Sequence, residues 1–361
     1  MRKAKVLVVD DSMLIRRLVT TALSRDTQID VVGEAPNGRI ALQKIAQLSP
    51  DLVTLDIEMP EMDGLSTLRE IRKMNPRLSV IMFSSHTERG AADTLEALHL
   101  GASDYVTKPN SAGGKGLAQQ RIEDILIPKI RALCRVGAAV GTGVAAAGKP
   151  TAPPPALKPF VMRALGSAPR ADIVAIALST GGPSALGCVL SALPPDFSAP
   201  IVLVQHMPSM FTRLLAERLN NQTALNVVEA TEGAVIMPGT VYVAPGDFHL
   251  CVKKGSSQIV TSLTEDPPEH SHRPAADVLF RSVANVYGSR ALAMVLTGMG
   301  EDGLNGSREI TRAGGRVIVQ DEATSVVWEM PGRIAQAGIA DGVLPIGEMA
   351  AELIKRTRRA A

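Results

Sequence analysis

The 361-residue chain has 45% apolar and 20% charged side chains, the balance of a globular protein with room for two domain cores. Its 38 Lys and Arg against 36 Asp and Glu leave a net charge of +2, which argues against nucleic-acid binding and electrostatic recruitment to an anionic membrane. No apolar run approaches the roughly 20 residues needed to span a bilayer. The first residues form a short strand pattern ending in acid rather than a signal peptide. Cys134, Cys188 and Cys251 are widely spaced, which predicts buried thiols in a reducing cytoplasm, with no disulfide or metal spacing.

In chain order, short branched-apolar runs at 6–9, 31–32, 52–55, 80–83 and 105–106 read as buried parallel strands. Stretches of helical periodicity at 14–23, 40–48, 65–74 and 91–100 separate them. Such alternation predicts a doubly wound α/β domain with its site at the carboxyl ends of the strands. Residues 135–170 then turn rich in Gly, Ala and Pro, including Pro153, Pro154 and Pro155, and read as a semi-flexible linker. Strands at 173–177, 201–205, 241–244, 293–296 and 317–320 follow, with helices at 183–193, 211–220, 275–287 and 303–313. A short antiparallel patch is expected over 250–263, and Lys355, Arg356, Arg358 and Arg359 read as a solvated helix end.

Asp10 and Asp11 follow the first strand, Asp56 the third, and Ser84 and Lys108 the fourth and fifth. In a parallel sheet these groups converge on one edge, where clustered carboxylates repel unless they surround a hard cation such as Mg²⁺. The cation and Lys108 would neutralise an incoming phosphoryl group, and Ser84 would donate a hydrogen bond to it. Singly, paired aspartates are helix caps and a Lys-Pro pair marks a loop; the order and placement of the set carry the reading. Val8-Val9-Asp10-Asp11-Ser12, Leu55-Asp56-Ile57-Glu58-Met59-Pro60, Asp63-Gly64 and Lys108-Pro109 resemble the receiver domain of two-component response regulators. The resemblance implies Asp56 as phosphoacceptor, with Asp10, Asp11, Asp56 and the backbone carbonyl of Glu58 holding Mg²⁺. It also implies Ser84 and Tyr105 as the switch pair.

In the second half Ser179 lies in Ser179-Thr180-Gly181-Gly182-Pro183, between a strand and a helix whose first position suits Pro183. This is not a Gly-x-Ser-x-Gly elbow, and the same turn would serve equally as a phosphate-binding or structural junction. His206 and Asp302 also follow strands, so three strand ends offer nucleophile, general base and orienting acid. Among the other histidines, His86 and His99 have no evident partner, His249 reads as a loop residue, and His270 and His272 read as a surface loop near the cleft.

Ser179-Thr180-Gly181-Gly182, Gln205-His206-Met207, Val243-Ala244-Pro245-Gly246, His272-Arg273-Pro274 and the run from Thr297 to Gly303 resemble the chemotaxis protein-glutamate methylesterase family. The resemblance implies hydrolysis of glutamyl methyl esters on chemoreceptors with release of methanol, deamidation of receptor glutamines, and a chemotaxis sensor histidine kinase as phosphodonor. Ser179, His206 and Asp302 then form the triad, Thr180 and Met299 line the site, and the His206 and Met299 amides are oxyanion donors. No cofactor is implied in the esterase domain. The expected layout is a flavodoxin-like receiver over 1–126, a linker over 127–168 and a Rossmann-like catalytic domain over 169–358. A DNA-binding output would need a basic helix-turn-helix face that this near-neutral α/β region lacks. A non-catalytic scaffold would have no use for intact Ser179, His206 and Asp302.

Overall fold

The computed structural model describes residues 2–85, 87–108, 114–136 and 170–357. The proline-rich stretch of the expected linker, together with His86, Pro109, Arg358 and Arg359, lies outside them. The N-terminal half contains strands β1 (Ala4–Val9), β2 (Ile29–Ala35), β3 (Leu52–Asp56), β4 (Ser79–Ser84) and β5 (Asp104–Thr107) in the order β2-β1-β3-β4-β5. Every pairing is parallel, and the order is that of flavodoxin-like sheets. Helices α1 (Met13–Leu23), α2 (Gly38–Leu48), α3 (Gly64–Met74) and α4 (Glu88–His99) each start at a polar cap. Ser12, Asn37, Asp63 and Thr87 accept hydrogen bonds from the exposed amides of those first turns. Helix α5 (Gly114–Cys134) runs past position 126 despite Pro128 inside it.

The C-terminal half is built on β6 (Ile173–Leu178), β7 (Ile201–Gln205), β8 (Asn226–Glu229), β9 (Thr240–Val243), β12 (Ala291–Val295), β13 (Arg316–Gln320) and β14 (Gly342–Leu344). These form a parallel sheet in the order β14-β13-β12-β6-β7-β9-β8, and β10 (His249–Lys254) and β11 (Ile259–Thr264) make the expected antiparallel hairpin. Helices α6 (Gly182–Ser191), α7 (Ser209–Gln222) and α11 (Ile346–Thr357) cover one face. Helices α8 (Ala276–Tyr287), α9 (Leu304–Arg312) and α10 (Met330–Gln336) cover the other. Side chains alternate accordingly along β6: Val174, Ile176 and Leu178 join the α6 and α7 layer, and Ile173, Ala175 and Ala177 join Phe280, Val283 and Ile310. A strand covered on both faces reads as an unbroken apolar run, which is why β6, β7 and β12 were legible in the sequence. The chain turns back between β6 and β12, so the crevice beyond their carboxyl ends is the switch point of the sheet.

The two halves are joined by an apolar layer between α4 and the α6–α7 pair. Tyr105 stacks on Phe211 with ring centroids 4.7 Å apart. Thr180 Oγ1 donates to Asp104 Oδ2 at 2.5 Å, Ser184 Oγ donates to Leu98 O at 2.7 Å, and Arg213 pairs with Glu88 at 2.6 Å. Two expectations change. None of the three cysteines is fully buried: Cys134 and Cys251 are half-buried, and Cys188 is exposed because it falls on the face of α6 turned from the sheet. His249 is not a loop residue but the fully buried first residue of β10.

Helices α8 and α9 touch at Gly306, where an added Cβ would lie 2.5 Å from Phe280 Cβ and 3.1 Å from Asp277 Cα. Overpacking of this kind costs about 1–3 kcal/mol. Gly306→Val should therefore lower the stability of the C-terminal half by about that amount or more in urea unfolding, with the N-terminal transition unmoved.

Candidate active site and phosphoacceptor site

At the carboxyl edge of the first sheet, Asp10, Asp11 and Asp56 each bring a carboxylate oxygen within 4.8 Å of the others. Asp10 and Asp56 are buried and Asp11 is exposed. Lys108 Nζ stands 3.0 Å from Asp10 Oδ2 and 2.7 Å from Asp56 Oδ2. Both oxygens otherwise lack a hydrogen-bond donor. One ammonium thus faces three carboxylates, all hard oxygen donors, and the excess charge and unfilled lone pairs suit a divalent cation. Burial, reinforced by the charge on Asp10, pushes the Asp56 carboxyl up to about 6 against the pull of Lys108. Burial likewise raises Asp10.

The hydroxyl of Ser84 turns toward the start of α4, donating to Gly90 O at 3.0 Å and accepting from Thr94 Oγ1 at 2.7 Å. Tyr105, at the interface with Phe211, has its phenol pushed well above the usual range, first by burial and then by Asp104. Glu58, two residues after Asp56, is exposed.

At the switch point of the second sheet, Ser179 directly follows β6, His206 directly follows β7 and Asp302 lies in the turn after β12. Buried side chains hold the Ser179 turn by its carbonyls: Gln205 Nε2 donates to Ser179 O at 3.1 Å and Thr297 Oγ1 to Thr180 O at 2.9 Å. His206 Nε2 lies 2.8 Å from Asp302 Oδ2. An ionised carboxylate only accepts, so Nε2 carries the proton and Nδ1 is left with its lone pair. Nδ1 is buried without a partner. No hydrogen bond joins it to Ser179 Oγ among the described residues; such contacts tighten when substrate binds.

Asp302 also accepts from Ala276 N at 2.6 Å, Asp277 N at 2.9 Å and Gly303 N at 2.9 Å. The first two are orphan amides of α8, whose cap Ala275 offers no side-chain acceptor. Burial alone would raise this carboxyl, but His206 and the backbone amides overcome it and hold Asp302 down at about 2. His272 stacks on His206, centroids 3.8 Å apart and planes 15° apart. Burial, then the neighbouring His206, lowers His272 to about 4, so it stacks as the neutral ring at pH 7.

The site differs from expectation in two places. The His206 amide is directed at Leu178 O at 3.3 Å in the β6–β7 ladder, whereas the Met299 amide has no partner among the described residues. Thr180 spends its hydroxyl on Asp104 of the N-terminal half. His270, in the expected loop, pairs with buried Asp277 at 2.9 Å. Sequence reasoning missed Gln205, Thr297, Gln320 and His272 as supports. Gln205 and Thr297 stood inside quoted motifs, and polar residues at the end of otherwise apolar strands were the available signal.

Residues 6–114 match the model of the response regulator receiver domain, and residues 174–353 match that of CheB methylesterase. The chain is 47% identical to the protein-glutamate methylesterase/protein-glutamine glutaminase of Trichodesmium erythraeum, over 99% of each chain. It is 50% identical to the protein of that name from a Nocardioides species, over 98% of this chain and 96% of the relative. The crystal structure of the Thermotoga maritima CheB methylesterase catalytic domain is 43% identical with a TM-score of 0.51, covering 51% of this chain and 98% of that one.

Because the folded value of Asp56 lies near 6 and the unfolded value near 3.8, its contribution is full below the unfolded value. It is lost as pH rises through the folded one. In divalent-free buffer Asp56→Asn should escape that loss. The variant should match wild type near pH 4 and exceed it by on the order of 1–3 kcal/mol above pH 7, as read from denaturant unfolding of the receiver across that range.

Proposed function

The chain belongs to the CheB family of protein-glutamate methylesterases/protein-glutamine glutaminases with an N-terminal receiver domain, and from that premise we propose that it hydrolyses glutamyl methyl esters on chemoreceptors, releasing methanol, and deamidates receptor glutamines, under control of receiver phosphorylation. The observation that carries this reading is the buried His206–Asp302 pair beside the Ser179 turn at the switch point of the sheet.

Ser179 Oγ attacks the ester carbonyl carbon while His206 Nδ1 takes the hydroxyl proton. Asp302, ionised and fixed by backbone amides, holds the ring and stabilises the imidazolium. The negative charge on the carbonyl oxygen is met by the Met299 amide. His206 returns the proton to the leaving methoxide, which departs as methanol, and a water activated by the same ring then hydrolyses the acyl-serine. With a glutamine side chain the leaving group is ammonia. His272, neutral against the ring face, keeps water from that side of the base. The esterase chemistry needs no cofactor.

In the receiver, Asp56 is the phosphoacceptor and takes the phosphoryl group from a phosphohistidine of the chemotaxis sensor kinase. Mg²⁺, held by Asp10, Asp11, Asp56 and the backbone carbonyl of Glu58, would neutralise charge on the transferring group; the clustered carboxylates, with one lysine among three, fit it. Lys108 pairs with the product, and Ser84 and Tyr105 switch position. We place the receiver at 1–126, the linker at 127–168 and the catalytic domain at 169–358, in a cytoplasmic protein with neither nucleic-acid binding nor direct membrane insertion. No helix among the described residues is long and apolar enough to cross a membrane.

Ser179→Ala should fold yet release methanol from methyl-labelled receptor at least about 10⁴-fold more slowly; a folded variant with most of its activity would remove Ser179 from the nucleophile's role.

The unphosphorylated receiver sits against the Ser179 turn through Asp104, and against α7 through Tyr105. Modifying Asp56 would shift Ser84 and Tyr105 and weaken that contact, and a few kcal/mol moves such an equilibrium from mostly closed to mostly open. A fragment from about residue 168 onward should then be active and indifferent to phosphodonor, full-length protein slow until phosphorylated, and Asp56→Ala always slow. A fragment no faster than the unphosphorylated full chain would rule out occlusion as the control.

A further inference from the structure

The loop 297–300, which carries the Met299 amide, abuts the nucleophile turn. Ser179 N donates to Thr297 O at 3.1 Å, and a Cβ on Gly298 would lie 3.1 Å from Ser179 Cβ. The strap formed by residues 320–330 grips the same loop. Thr297 N donates to Gln320 Oε1 at 2.8 Å, Gly298 N to Val327 O at 3.0 Å, and Met330 N to Gly298 O at 3.0 Å. In a trans peptide the C=O and N–H point in opposite directions. With Gly298 O drawn to Met330 N, the Met299 N–H of that peptide is aimed away from Met330 and is free to meet a ligand beside the Ser179 turn.

The next peptide has a different support. Gly300 has φ +93°, a conformation that favours glycine, and a Cβ there would meet nothing within 4 Å. No packing holds this residue. Its amide is held by one side chain, the exposed carboxylate of Glu329, at 2.8 Å. Three of the four amides in the loop are therefore tied to the strap, and only Met299 N–H is left without a partner among the described residues.

We propose that Glu329 is a positioning residue: by accepting from Gly300 N–H it fixes the peptide on the far side of Met299, and so steadies the Met299 N–H that the Gly298–Met330 bond aims toward the oxyanion. It touches neither substrate nor the reacting atoms. The inference rests on the reading of Ser179 as nucleophile and Met299 N–H as oxyanion donor. It assigns the hydrogen-bond acceptor, not the negative charge, as what matters, so glutamine should substitute for glutamate.

The test uses full-length protein activated by a small-molecule phosphodonor, with methanol release from methylated receptor and inhibition by an alkylboronic acid, which adds to a nucleophilic serine as a tetrahedral adduct. Glu329→Ala should lower kcat about tenfold with KM within twofold, a loss smaller than the 10²–10³ of deleting an oxyanion donor outright. It should weaken boronate inhibition by a similar factor. Glu329→Gln should restore both, and the activation ratio with and without phosphodonor should be the same in all three proteins. The proposal is overturned if Glu329→Ala keeps kcat and boronate affinity within twofold of wild type. It is equally overturned if Glu329→Gln is as impaired as the alanine variant, or if the loss lies in KM or in the activation ratio. Turnover by Ser179→Ala, or a wild type indifferent to boronate, would instead show that the underlying serine reading has failed and takes the inference with it.

Discussion

The catalytic half depends on one buried carboxylate. Asp302 is removed from water, and a lone ion there would cost several kcal/mol. It survives as an anion because an imidazole and three backbone amides surround it. Two of those amides are the free start of α8, so the partial positive charge of the helix terminus and the orienting acid meet in one set of hydrogen bonds. From this contact follow the His206 tautomer, the direction of its basic nitrogen and the entry of α8 onto the sheet. The loop 265–275 is fixed in turn by His249, whose Nδ1 accepts from Ala275 N at 3.2 Å and whose Nε2 donates to Pro267 O at 3.2 Å. That loop brings His272 over His206.

The receiver meets the same problem in the opposite way. Its carboxylates are packed against one lysine with too few donors, so Asp56 is raised while Asp302 is lowered. One site is complete within the protein and the other is built to receive charge from outside. Two buried aspartates are thus set apart by what surrounds them, an imidazole and backbone amides for Asp302 and other carboxylates with one lysine for Asp56, not by residue type.

Much of this was legible in the sequence because parallel strands buried on both faces are apolar throughout, and the residue that ends each run stands at the sheet edge. Asp10, Asp56, Ser179 and His206 sit at such ends, and Asp302 lies in the turn between β12 and α9. The edge strands β8 and β14 were not read, since Asn226–Glu229 and Gly342–Leu344 are short and partly polar. Helix α5 carries Pro128, which read locally suggests a break. Gln205, Gln320 and His272 act through contacts with residues distant in sequence, and no local pattern encodes the partner. Cys188 was placed inside because cysteine is usually buried, yet its position on the helix overrides its type.

The junction between the halves has a consequence for how such proteins are assembled from modules. The receiver touches Thr180, the residue after Ser179, through Asp104, and the carbonyl of Leu98 accepts from Ser184 one helical turn further on. The surface being read is thus the turn proposed to carry the nucleophile, which the enzyme would not be free to redesign. Variation to fit a new gatekeeper must fall on the receiver's α4–β5 side. A foreign receiver spliced onto this hydrolase would inherit the phosphorylation chemistry but not the grip, unless it also brought an acid and an aromatic ring to the positions of Asp104 and Tyr105. Compatibility of the two modules is written in those few side chains rather than in the segment that tethers them.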